Sequence, residues 1–110
     1  MMKMMILFRQ PTEIARFENT YNSLLALIER MPHVTRRQVN AVMGSPTGPS
    51  PFYRILEVYF DSQQALAESL RSPIGQEAGT ELTKLPATTF DVMFSEVYEE
   101  TGGSTPRPEE

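Results

Sequence analysis

The stretch Phe52-Tyr-Arg-Ile-Leu-Glu-Val-Tyr-Phe60 constrains this chain more than any other. Aromatic and branched residues crowd it, and they favour the pleated, half-buried surface of a strand. Successive side chains of a strand point to opposite faces, so Leu56, Val58 and Phe60 face one way and Tyr53, Ile55, Glu57 and Tyr59 the other. Both sets are largely apolar. Such a strand needs cover on both sides, and one layer of helices covers only one of them.

Flanking segments supply that one layer. Ile14, Phe17, Tyr21, Leu24, Ile28 and Met31 recur at spacings of three and four, an apolar stripe along a helix that Pro32 ends. Thr12 is the expected N-cap of this helix, with Glu13 favourable at its positive end. A second helix follows Phe60, with Asp61 as its expected cap, Gln64 completing a capping-box-like pattern, and Leu66 and Leu70 as anchors. Ser72-Pro73 restarts a short helical segment, cap then first helical position. Gly75 and Gly79 weaken that segment, so packing must support it.

Three more strands are expected. Met2 to Arg9 is short and apolar and stops before Pro11. Thr35 to Met43 alternates, with Arg37, Val39, Ala41 and Met43 on one face and Arg36, Gln38, Asn40 and Val42 on the other. Residues 44–51, with three prolines and two glycines, form a loop. Thr88 to Tyr98 closes the set, Phe90, Val92, Phe94, Glu96 and Tyr98 alternating with Asp91, Met93, Ser95 and Val97. The order is β-α-β-β-α-β: an α+β, ferredoxin-like plait with four antiparallel strands and both main helices on one face. Residues 1–100 make a single domain, and residues 101–110 have the composition of a flexible acidic Pro/Gly tail.

Composition narrows the function classes. Without cysteine there is neither a disulfide framework nor a thiolate metal site, which fits a reducing cytoplasm. Of the net charge of -4, the last twelve residues hold -3, from four glutamates against Arg107. The body therefore carries only -1 and has no basic excess for a phosphate backbone, so no nucleic-acid partner is expected. The methionine-rich start lacks a signal-peptide cleavage site, and no run reaches the ~20 apolar residues of a spanning helix, so no membrane partner is expected.

The uncovered sheet face drives the functional reading. Tyr53, Ile55 and Tyr59, with residues of the outer strands, make an apolar face too large to leave in water. A second copy placed face to face would cover it and enclose a space between two sheets. A nucleic acid or a peptide could cover the same face.

Phe52 to Ser62, the Ala/Leu-rich helix after it and Ser72-Pro-Ile-Gly-Gln76 resemble the EthD family, and the Gly44-Ser-Pro loop and the phenylalanine-rich last strand fit as well. The family is named for a component of an ethyl tert-butyl ether degradation system, and the resemblance spans roughly residues 3 to 98. It implies a homodimer whose two sheets form a dimeric α+β barrel around a pocket for a small hydrophobic organic ligand. Relatives on the superfold include cofactor-independent monooxygenases, lactone isomerases and haem-degrading enzymes, so the reaction stays open. Many relatives carry first-helix histidines in a pattern close to Phe-x-x-His-Tyr, then His-x-Pro-Leu. Here Thr20 stands at the first position and Leu24 or Leu25 at the second, and neither transfers a proton near neutral pH.

The candidate residues lie on the expected pocket face. Glu57 is a carboxylate among aromatic rings; desolvation there suits a general base, and pairing with an arginine such as Arg36 would make it structural. Gln38 and Asn40 could orient a ligand carbonyl or hydroxyl, or belong to an internal network. Tyr53 and Tyr59 would line the same space. His33, the only histidine, sits in a Pro-His-Val turn that suits a solvated side chain better than a ligand. One histidine and no cysteine argue against a mononuclear zinc or haem site and leave open only a carboxylate site across a dimer, and no cofactor is expected. Two functions follow from this face: a homodimeric small-ligand protein of the EthD type, either a cofactor-independent oxidoreductase or isomerase or an accessory binder in the catabolism of a small organic compound, and a dimeric structural or regulatory module without a catalytic site.

Overall fold

The structure, a computed structural model, describes residues 1–100; the expected tail, residues 101–110, lies outside them. The strands β1 (Met2–Arg9), β2 (Val34–Ala41), β3 (Phe52–Phe60) and β4 (Phe90–Glu96) form one antiparallel sheet in the order β2-β3-β1-β4. Helices α1 (Ile14–Glu29), α2 (Gln63–Arg71) and α3 (Pro73–Leu82) lie on one face. This is the ferredoxin-like α+β fold, with the sheet open rather than closed.

Register decides which side chains share a face. Arg37, Val58, Met4 and Phe94 form one row across the sheet, and Val39, Leu56, Ile6 and Val92 the next. The central members of these rows, Met4, Ile6, Leu56 and Val58, pack beneath the helices, buried together with Phe8 and Phe60 of the same strands and with Phe17, Tyr21, Leu24 and Ile28 of α1. The margins are bare, since Val39 is 51% exposed on one edge strand and Phe94 55% on the other. The helices thus cover the two central strands.

The caps differ from expectation. Residue Glu13, not Thr12, is the N-cap of α1 and makes no side-chain cap bond. Ile14 therefore sits in the first turn and is exposed, outside the buried stripe, while Met31 is buried beyond the end of the helix. For α2 the cap is Ser62 rather than Asp61: its hydroxyl accepts from the Ala65 amide at 3.0 Å. Ser72 caps α3 as expected, accepting from the Gly75 amide at 3.0 Å, with Pro73 opening the helix. The expected short segment is a full ten-residue helix, packed against α1. Gly75 permits the close approach of α3 to the end of α2, because a Cβ there would collide with the Ser69 carbonyl oxygen. β4 is shorter than expected, since Ala87–Thr89 forms a 3-10 turn before Phe90.

Alternation along β3 breaks near its start. Phe8 pairs with Arg54 and Arg9 with Phe52, leaving Tyr53 as an extra residue in a bulge. Its ring meets Phe17 of α1 edge-on, with centroids 5.5 Å apart. The sequence expectation that Tyr53 shares a face with Ile55, Glu57 and Tyr59 is therefore corrected. Tyr53 sides with Arg54, toward the helices.

Candidate functional site

The face without helices carries three rows. Arg36, Tyr59, Lys3 and Ser95 form one; Gln38, Glu57, Met5 and Met93 the middle one; Asn40, Ile55, Leu7 and Asp91 the third. Met5, Leu7, Ile55 and Met93 are adjacent and make an apolar centre. Polar groups stand around it.

Glu57 faces this surface, as alternation requires, but an arginine is not its partner. The Lys3 ammonium donates to its carboxylate at 3.0 Å, with both side chains largely covered. Lys3 was not among the candidates. It is the only charge within the run Met1 to Leu7, and a lone cation in a buried-type strand needs a counter-charge nearby. The Tyr59 hydroxyl donates to the Gln38 side-chain carbonyl at 2.9 Å, which orients that amide, and the Asn40 amide donates to the Ile55 carbonyl at 3.3 Å. Glu57, Gln38, Asn40 and Tyr59 thus share one surface, and Tyr53 is absent from it. At the far end Arg9 pairs with Asp91 at 2.7 Å and lies over the Phe52 ring. Two cations flank Tyr59, whose ring is buried: the Arg36 guanidinium is 4.2 Å from its centroid and the Lys3 ammonium 5.6 Å.

A second polar cluster lies on the helix side and escapes a reading by motif. Arg54 shares the core face of β3 with Leu56 and Val58, where a charge must be paired. Glu18 of α1 accepts two bonds from its guanidinium, at 2.7 and 3.0 Å, and a third from the Tyr53 hydroxyl at 3.2 Å. The rings of Phe17, Tyr21 and Tyr53 surround the guanidinium at 4.5 to 5.5 Å. Hydrogen bonding from Arg54 holds the Glu18 carboxyl below its ordinary range, and Glu18 in turn raises Arg54. Burial pushes the Tyr21 phenol up, and its hydroxyl has no partner among the described residues. The sequence signal for this cluster was Arg54 itself, a charge in phase with the core residues.

His33 lies away from both clusters, in a left-handed turn at φ 68°, with Nε2 3.2 Å from Glu68 of α2. Thr20 is half-buried on α1 and Leu24 is part of the core, so the helix offers no imidazole near the sheet. Two cavities lie on the helix side: one of about 60 Å³ between α1, α3 and the sheet, apolar and reaching Val92, and one of about 80 Å³ between Arg9, Phe17 and Pro86. Among the described residues no group of three or more His, Asp or Glu forms a metal site, and no helix is long and apolar enough to cross a membrane.

No family model matches the chain. Over 97 residues it is 24% identical to an uncharacterized 11.0 kDa protein of the thcB-thcC intergenic region of Rhodococcus erythropolis, covering 87% of this chain and 94% of that one. Among solved structures, an ethyl tert-butyl ether d (EthD) family protein from Bacillus halodurans superposes with a TM-score of 0.84 at 28% identity, covering 89% of this chain and 99% of that one. A dimeric ferredoxin-like protein from Thermobifida fusca shares the fold, with a TM-score of 0.66, 14% identity and coverage of 87% and 90%. SnoaB, a cofactor-independent oxygenase from Streptomyces nogalater, does so with a TM-score of 0.66, 15% identity and coverage of 90% and 94%. The superposition agrees with the resemblance carried by the third strand: in fold and in sequence this chain is similar to a protein of the EthD family.

Proposed function

We propose that two copies of this chain join through their open sheet faces and hold a small hydrophobic organic molecule between them. The observation that carries this reading is the apolar centre of Met5, Leu7, Ile55 and Met93, enclosed by polar groups already oriented by their own partners. A contiguous apolar patch on a twisted sheet favours cover by another surface, and a two-fold pairing of identical faces supplies it. Dimeric proteins among the similar folds support this, as does a cofactor-independent oxygenase.

In such a dimer Gln38, Asn40, Tyr59 and Glu57 become the polar lining. Glu57 is already committed to Lys3, and α1 contributes no imidazole, so the arrangement favours holding and orienting a ligand over abstracting a proton. The assigned role is a ligand-binding component in the catabolism of a small organic compound, with cofactor-independent oxidation or isomerisation as the chemistry such a pocket would host. A specific observation favours the second reading, a structural or regulatory dimer: Lys3, Glu57, Tyr59, Gln38 and Asn40 all have partners within one protomer.

Native mass spectrometry of freshly purified protein separates the two. A dimer carrying retained small-molecule mass supports the binder; a dimer that stays bare after exposure to apolar aromatics supports the structural module. Sedimentation as a monomer at micromolar concentration would end both.

A further inference from the structure

The charged groups of the open face do not balance. Lys3 is paired with Glu57 and Arg9 with Asp91. Arg36 is different: among the described residues it has neither an ion-pair nor a hydrogen-bond partner. Its guanidinium is nonetheless held in place, resting on the face of Tyr59 at 4.2 Å. That ring is itself fixed by its bond to Gln38 and by the Thr35 hydroxyl donating to the Tyr59 backbone carbonyl at 3.1 Å. A guanidinium stacked on an aromatic ring keeps the edge donors of its fork free. Its row neighbour Lys3 adds no second free cation, because Glu57 neutralises it.

Resting on the dimer proposed above, we infer that the ligand is an organic anion, its acidic head bound by Arg36 and its apolar body lying over Met5, Leu7 and Ile55. Enclosing a face with one unmatched cation per protomer is costly unless an anion accompanies it. A carboxylate matches a planar guanidinium fork in two parallel bonds, whereas a neutral hydroxyl or ketone leaves the charge uncompensated. Arg36 lies at one end of the apolar patch rather than over it. That placement suits an amphiphile with one charged end, such as an aromatic or short branched carboxylate.

The test pairs acids with their neutral amides: benzoate with benzamide, salicylate with salicylamide and hexanoate with hexanamide, each titrated into the full chain by calorimetry alongside sedimentation. The expected result is a dimer that binds at least one acid roughly tenfold or more tightly than its amide, a preference that Arg36→Gln abolishes and Arg36→Lys partly restores. A dimer that binds acids and amides alike, or neither, overturns the anion assignment and leaves the dimer standing. So does Arg36→Gln weakening the dimer while acids fail to bind, because a carboxylate of the second copy would then be the counter-charge. A monomer in sedimentation shows instead that the underlying dimer reading has failed.

Discussion

β3 carries two ion pairs three residues apart that face opposite ways, and the contrast between them organises the molecule. Arg54, on the helix side, meets Glu18 through two bonds and is wrapped by Phe17, Tyr21 and Tyr53, all from the same chain. Glu57, on the open side, meets Lys3 through one bond, beside an apolar patch with nothing over it in the protomer. The first pair is finished by its own chain: its charges are matched, stacked and sheltered. Both pairs are sheltered to a similar degree in the protomer, with side chains 17% and 32% exposed for Arg54 and Glu18 and 21% and 14% for Lys3 and Glu57. What separates them is therefore the number of bonds and the aromatic cover rather than exposure to water. The comparison teaches that the helix face is completed within one chain, whereas the open face carries the groups on which the proposed dimer depends.

Substitutions of neighbouring β3 residues break the comparison most directly. Leu56→Ala, on the helix side, should cost about 2–5 kcal/mol at any protein concentration, as a fully buried leucine does. Ile55→Ala, one residue away, should cost less than about 1.5 kcal/mol in the protomer and show its effect as a weaker dimer. Urea unfolding at two concentrations a hundredfold apart reads both. Equal, concentration-independent losses would erase the distinction between the faces.

Arg54→Met is the next largest. It keeps the aromatic packing partly filled but strands Glu18, and should cost about 2 kcal/mol. Glu18→Gln removes the charge while keeping most of the shape, and should cost about 1 kcal/mol near neutral pH. Its pH dependence fixes the sign. Because Arg54 lowers the Glu18 carboxyl in the folded state, the stabilisation is complete above the ordinary value near 4.5. It is lost as the pH falls through the lower folded value. The gap between wild type and Glu18→Gln should therefore close between pH 5 and strongly acid solution. A gap that stayed constant in urea midpoints across that range would mean that the carboxylate charge is not what Arg54 holds.

Glu57→Gln should produce the smallest change in the protomer, about 1 kcal/mol, because the pair is a single bond and glutamine still offers the Lys3 ammonium an acceptor. Enclosed between two sheets, the same change leaves an unmatched ammonium, so the dimer should weaken more than the protomer. Dissociation by dilution measures the difference. An unchanged dimer would place the pair outside the association surface.

How much of this was legible in the sequence can be traced residue by residue. Local rules determined the elements: the apolar stripe of Phe17, Tyr21, Leu24 and Ile28, the Ser72-Pro73 restart and the alternation of Leu56, Val58 and Phe60 each follow from helical or strand periodicity, which needs no distant partner. The element order β-α-β-β-α-β pointed to a ferredoxin-like plait and so to a sheet face without helices. Only the tertiary structure decided the rest. The bulge opposite Arg9 turned Tyr53 to the helices, because register is a property of two strands and is not written in either. The cap of α2 moved from Asp61 to Ser62, one residue that geometry alone selects. The partners of Glu57 and Arg54 are 54 and 36 residues away, at Lys3 and Glu18. Pairings at that separation depend on which side chains the folded sheet and helix bring within reach, and periodicity along the chain carries no record of them.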